Sequence, residues 1–211
     1  MHKIILTLSI IVCALALQAQ PAGYTPVTEL AKFKQQFDAV SQKTTTIKSD
    51  FLQEKNLSML SEKITSKGKF WFKKDSRLRM EYTTPFEYLM ILNKDNMYIK
   101  DGKQETKVSV KSNKIFQEIN KIIVDCVQGS VFNNPDFAGV AYENKINYMV
   151  ELSPVSKALK EFFKTIDVFI DKKDYSVNMI VMNENSGDNT VLHFTNREIN
   201  TDIPDALFVI K

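Results

Sequence analysis

Between Gly68 and Lys100 the chain alternates large apolar and charged side chains in short bursts separated by turn signals, and this pattern constrains the fold most. Phe70 and Phe72 oppose Lys69, Trp71 and Lys73; Leu78, Met80 and Tyr82 oppose Arg77, Arg79 and Glu81. Successive strand side chains point to opposite faces, so such runs predict β-strands with one dry face and one wet face. Lys74-Asp75-Ser76, Thr84-Pro85 and Lys94-Asp95 mark turns, which makes the segment an antiparallel meander. Leu89 with Ile91, and Met97 with Ile99, are expected to continue the dry face. Tyr88, Met90 and Leu92 are apolar as well, so alternation alone does not fix the facing of that strand.

The rest of the chain reads as one sheet with helical covers. Thr28 is placed to cap a helix to about Ser41, with Leu30, Phe33, Phe37 and Val40 on one side and Lys32, Lys34, Gln35 and Gln36 on the other. Strands are expected over Thr44–Lys55, Ile64–Lys73, Arg77–Thr83, Glu87–Asn93, Asn96–Lys100 and Gln104–Val110. From Asn113 to Val127 the period changes: Ile115, Phe116, Ile119, Ile122, Ile123 and Cys126 recur at helical steps, and Gly129 suits the C-terminal cap. Further strands are predicted at Gly139–Tyr142, Lys145–Leu152, Thr165–Asp171, Ser176–Asn183, Thr190–Asn196 and Leu207–Ile210, with a short helical insert at Val155–Phe163.

The first nineteen residues read as a cleavable export signal: Met1-His2-Lys3 is positive, Ile4–Leu17 is almost wholly apolar, and small residues end at Ala19. The apolar stretch is shorter than the roughly 20 residues that span a bilayer. About 190 residues remain for residues 20–211, enough for a single domain with one core. Cys126 is then the sole cysteine, set among Ile122, Ile123, Val124 and Val127, and reads as a small hydrophobe. The net charge of +3 is spread over both signs, which argues against a nucleic-acid partner. His193 stands alone once His2 is removed, no G-x-S-x-G occurs, and no Cys/His cluster has zinc spacing. Asp167, Asp171 and Asp174 lack the calcium-loop pattern. No enzyme, no metal and no cofactor is expected, and neither is any catalytic residue.

Several motifs resemble one family. Gly68, Phe70, Trp71 and Lys73 match a G-x-F/L-W-x-K opening; Thr83 and Pro85 match T-x-P after a fixed gap. Phe51-Leu52-Gln53 fits F-x-Q, and Ile203-Pro204-Asp205-Ala206-Leu207-Phe208 is similar to the closing segment. The family is that of the periplasmic outer-membrane lipoprotein carriers, the LolA-like proteins. The resemblance implies an α+β fold: an unclosed antiparallel half-barrel of about eleven strands, with helices across its concave face as a lid. It implies a hollow lined by Leu78 and Met80, to which the alternation adds Phe70, Phe72, Tyr82, Leu89, Ile91, Met97 and Ile99 of the dry face. The lid would present Leu30, Phe33, Phe37, Ile115, Phe116 and Ile119. Where the family carries a lid-locking arginine this chain has Lys74, so Lys74, Arg77 or Arg79 is expected to contact the lid.

The function implied is a periplasmic carrier, expected as a monomer, that shields the acyl chains of lipoproteins. It would be loaded by an inner-membrane lipoprotein-releasing transporter and would deliver to the outer membrane, with a receptor there as a further partner. A periplasmic sensor of lipids or lipoproteins, a carrier of another lipid or a glycolipid, and a structural β-domain with a solid core are the alternatives.

Overall fold

The structure, a computed structural model, describes residues 20–60, 62–109, 122–126 and 130–210. In chain order the elements are β1 (Thr25–Pro26), α1 (Leu30–Lys43), β2 (Thr46–Leu57), β3 (Glu62–Lys73), β4 (Arg77–Thr84), β5 (Tyr88–Asn93), β6 (Asn96–Asp101) and β7 (Gln104–Ser109). Then come a helical stretch, α2, described over residues 122–126, and a 3-10 turn at Ser130–Asn133. They are followed by β8 (Phe137–Glu143), β9 (Asn147–Pro154), α3 (Lys157–Lys160), β10 (Phe163–Asp171), β11 (Val177–Glu184), β12 (Asn189–Ile199) and a 3-10 turn at Asp205–Phe208.

The twelve strands among the described residues form one antiparallel sheet in the order β1-β8-β9-β10-β11-β12-β2-β3-β4-β5-β6-β7. Two meanders, β2–β7 and β8–β12, are joined where β12 pairs with β2, as at Leu192↔Gln53 and Phe194↔Phe51. The sheet ends at β1 on one side and β7 on the other, so it is an open half-barrel.

Register explains why the alternating pattern builds one continuous apolar face. Phe70 lies opposite Met80, Met80 opposite Met90, and Met90 opposite Ile99. One row over, Phe72, Leu78, Leu92 and Met97 form a second ladder. Cross-strand neighbours share a face, so these ladders line the concave side. Val150, Ile166, Val168, Ile180, Leu192 and Phe194 carry the same surface through the other meander. Each such side chain fully buried stabilises the fold by roughly 1.5–3 kcal/mol.

Gly68 sits where β3 shifts register against β4, between Lys67 and Gly68. A Cβ there would collide with the Glu81 carbonyl oxygen and lie 2.7 Å from the Phe51 ring. The glycine therefore lets β4 and the Phe51 ring close on the β3 backbone.

Three expectations are corrected. Thr28 does not cap α1; its N–H and hydroxyl donate to Glu143 instead, at 3.0 and 3.2 Å, and the helix begins at Leu30. Leu207–Ile210 is not a strand: the segment makes a 3-10 turn on the convex face of the sheet. The expected open sheet of about eleven strands is present, with twelve strands among the described residues, the lead-in supplying β1 against β8. The insert at Val155–Phe163 is helical only over Lys157–Lys160, and its last residue opens β10. The export signal, Ile115, Phe116, Ile119 and Gly129 lie outside the described residues.

Candidate functional site

The concave face is covered along part of its length by α1. Phe33 and Phe37 are buried beneath the helix, at 1% exposure each. Phe33 stacks on Tyr148 with ring centres 4.0 Å apart and meets Phe132 edge-on at 5.5 Å. Tyr148 stacks in turn on Tyr175, whose hydroxyl donates to Gln36 of α1. The Lys34 ammonium lies 4.8 Å over the Phe132 ring. Ile122, Ile123, Val124 and Cys126 of α2 are buried in the same cluster. Burial pushes the Cys126 thiol up from its ordinary value, so this cysteine is a packed hydrophobe without thiolate character. Leu30 is the exception among the described lid residues, 42% exposed and outside the core.

The space left under α1 is small. A cavity of about 30 Å³ lies between Phe37, Val40, Ser41 and Thr44 of the α1 segment and Ile47, Ser49, Phe70 and Phe194 of the sheet. That is room for about two waters and far less than an acyl chain requires. Among the described residues, Phe33 and Phe37 occupy the space under α1 where a standing hollow was expected. The Ser49 hydroxyl is buried at this cavity with no hydrogen-bond partner.

Towards the end of the sheet where β4 turns into β5, the concave face becomes amphipathic. The Tyr82 hydroxyl donates to Gln53 at 2.9 Å, and its ring meets Phe51 at 4.8 Å and Tyr88 at 5.4 Å, both edge-on. Burial, reinforced by Tyr88, pushes the Tyr82 hydroxyl up to about 12. The F-x-Q residues thus act together: Phe51 packs over Gly68 and Gln53 holds Tyr82.

Of the sequence-predicted lining, Phe70, Phe72, Leu78, Met80, Tyr82, Met97 and Ile99 share the concave cluster. Leu89 and Ile91 do not. They lie on the convex face with Trp71, Tyr98, Ile203 and Phe208, and Met90 and Leu92 take their place inside. The cause is coverage on both sides: the chain after β12 crosses the convex face and buries the outward residues of β5, so the strand is apolar throughout. Of Lys74, Arg77 and Arg79, Lys74 reaches α1, its Nζ donating to the Gln42 carbonyl at 2.9 Å. Arg77 and Arg79 face the other way. Arg77 binds Asp205 at 2.8 Å, and Arg79 donates to the Leu207 carbonyl at 3.2 Å while lying over Trp71. Alternation with Leu78 and Met80 already placed both arginines opposite the hollow. The missed lining residues Val150, Ile166, Val168 and Leu192 carried the same period-2 signal in β9, β10 and β12.

A half-barrel with an apolar concave face under a helical cover defines a lipid-binding, carrier-type domain. The chain belongs to the outer membrane lipoprotein carrier protein LolA family, whose model matches residues 42–211. No curated protein matches it in sequence. Among solved structures it is similar to an uncharacterised conserved protein from Thermus thermophilus, at 9% identity and TM-score 0.50, covering 85% of this chain and 92% of that one. It is also similar to a LolA superfamily protein from Nitrosomonas europaea, at 9% identity and TM-score 0.47, over 85% and 97% of the two chains. A putative outer membrane lipoprotein-sorting protein domain from Vibrio parahaemolyticus aligns at 10% identity and TM-score 0.48, over 84% and 94%. The family comprises binding and carrier proteins. Among the described residues no helix is long and apolar enough to cross a membrane.

Proposed function

We propose that the protein carries acylated lipoproteins across the periplasm, taking them from an inner-membrane releasing transporter and delivering them to the outer membrane. The leader Met1–Ala19 fits export to that compartment. The acyl chains would lie on the concave face against Phe70, Phe72, Leu78, Met80, Tyr82, Met90, Leu92, Met97 and Ile99, with α1 lifted away.

The observation that carries this reading is the closed lid itself. Phe33 and Phe37 are wholly buried in an apolar cluster that runs through both meanders of the sheet. Burying about sixteen methylenes gains on the order of 12 kcal/mol, so free cargo does not cross water unaided. In a standing pocket that gain would make release too slow. Here cargo displaces aromatic side chains that are already buried, so one apolar contact replaces another and the net affinity is modest. Loaded and empty states then differ by little, and a receptor can shift the balance.

The test is loading. Protein isolated from the native envelope is expected to carry triacylated lipoprotein, seen by native mass spectrometry, and to bind a fluorescent acyl probe. Leu78 is fully buried, so Leu78→Glu tests folding as much as cargo. Half-buried Ile99 is the cleaner site: Ile99→Glu should keep the fold, by circular dichroism, and weaken probe binding about tenfold. A folded Ile99→Glu protein that binds the probe as the parent does, or a native protein that carries only free phospholipid, would remove the lipoprotein reading.

A further inference from the structure

Large apolar side chains are exposed unevenly. Met59 is 94% exposed, Phe86 78%, Leu60 62%, Val155 52% and Phe162 40%. The topology brings all five to one end of the half-barrel. Antiparallel pairing sends the β2–β3 tip, the β4–β5 turn, the α3 connection between β9 and β10, and the β11–β12 turn to the same rim. The β2–β3 hairpin projects furthest past β4: its pairing runs out to Leu57↔Glu62, whereas β4 joins β3 only from Lys67↔Thr84.

The rim is built rather than loose. The Ser58 N–H and hydroxyl both donate to Asp188 at 2.9 Å, tying the hairpin tip to the β11–β12 turn. Asn185 in that turn donates its side-chain amide to the Lys160 carbonyl at 2.6 Å and its backbone N–H to the Phe162 carbonyl at 3.1 Å. Ser58, Asp188 and Asn185 are thus bonded within the rim, with the Ser156 hydroxyl buried without a partner behind it, while Met59, Leu60 and Phe86 stand largely exposed.

We propose that this rim is a bilayer-docking surface: Met59, Leu60 and Phe86 dip into the acyl boundary of a lipid surface, with Val155 and Phe162 alongside. The pattern fits lipid better than a protein partner. The tips sit on three separate loops, with the Ser58–Asp188 and Asn185–Lys160 bonds beside them. A protein would need a shaped pocket for each tip, whereas fluid acyl chains accept them at any spacing. Exposed Lys63, Lys67, Lys157 and Lys160 flank the tips and can keep their ammonium groups at phosphate level while their stems lie deeper. Glu62 and Glu161 stand beside them and Glu54 pairs with Lys63, so three carboxylates face four ammonium groups and the apolar tips carry most of the attraction.

The proposal does not depend on what the concave face carries, and the test uses vesicles without lipoprotein. The full chain from residue 20 is co-sedimented with vesicles of phosphatidylethanolamine containing a minor share of phosphatidylglycerol. The parent protein should partition measurably, with weak dependence on salt. Met59→Asp/Leu60→Asp/Phe86→Asp should lower partitioning at least tenfold while keeping the circular dichroism spectrum and acyl-probe binding. Ile146→Asp, at the opposite end and 67% exposed in the parent, should leave partitioning unchanged. A parent that stays in the supernatant overturns the proposal, as does a triple variant that binds like the parent or an Ile146→Asp variant that loses as much.

Discussion

The two faces of the sheet are covered by different physics. On the convex face the segment after β12 is clamped by directional bonds. Lys73 donates to the Ile203 carbonyl at 2.8 Å and pairs with Asp205 at 2.6 Å; Arg77 pairs with the same carboxylate; Arg79 and Asn93 hold the Leu207 and Phe208 carbonyls. Lys73 and Arg77 hold the Asp205 carboxyl below the usual carboxylate range. On the concave face α1 is tied near its ends, at Thr28–Glu143 and by Lys74 and Asn200 to the Gln42 and Lys43 carbonyls. Along its length it rests on aromatic contact and the Gln36–Tyr175 bond. Hydrogen bonds and ion pairs have one geometry and are lost on displacement, whereas apolar contact can be exchanged for other apolar contact. One cover is made to stay and the other is able to part.

The sharpest way to break that comparison is to truncate one buried phenylalanine on each side. Phe208 and Phe37 are each 1% exposed, so either change to alanine should cost about 3 kcal/mol in urea unfolding. Their effects on ligand should differ. Phe37→Ala removes a side chain that competes with cargo, so acyl-probe affinity should rise several-fold. Phe208→Ala should leave the probe affinity of the folded protein unchanged. Equal shifts in affinity from the two variants would show that the faces are coupled and that the strap is part of the lid.

How much of this was readable in advance follows from the same contrast. The period-2 pattern of β3 and β4 told inside from outside because one side of those strands meets charge: Leu78 and Met80 alternate with Arg77 and Arg79. In β5 that contrast vanishes, since Leu89 and Ile91 lie under the strap while Met90 and Leu92 face the hollow. A strand apolar on both faces signals two covers, and the second was hidden because Leu207–Ile210 itself looks like a strand. The closed state was not legible at all. Whether Phe33 and Phe37 fill a hollow or roof it depends on how α1 seats against β9 and β12, which no local pattern encodes.

Away from the strap the convex face carries a cost of its own. Asp167 lies there, opposite Glu151 and Val181 in register, with Val168 facing the core between Val150 and Ile180. One carboxylate oxygen accepts from Asn183 at 2.9 Å; the other is buried without a partner. Burial, with Glu151 adding to it, pushes this carboxyl up to about 6. The folded state therefore holds a proton more tightly than the unfolded chain, and stability falls as pH rises from about 4 to about 6. Asp167→Asn should stabilise by about 2 kcal/mol above pH 6, and the gain should vanish below pH 4. A gain that persists at pH 3.5 would assign it to packing. The lid should be untouched: probe affinity is expected to match the parent's at every pH.

The smallest expected effect is at Ser49, on the lid side. Its hydroxyl is buried at the residual cavity without a partner in the closed state. An orphaned buried hydroxyl costs roughly 1–3 kcal/mol, a penalty that lifting α1 would relieve by admitting water or an acyl ester oxygen. The hydroxyl is thus a built-in bias against closure, placed beside the end of α1 that Lys74 and Asn200 hold. Ser49→Ala removes the bias: the empty protein should gain about 1 kcal/mol in urea unfolding, and apparent probe affinity should fall about fivefold. The two shifts must have opposite sign. Were stability to rise with affinity unchanged, the cost at Ser49 would be common to the closed and open states, and the lid would part without uncovering this end of the sheet.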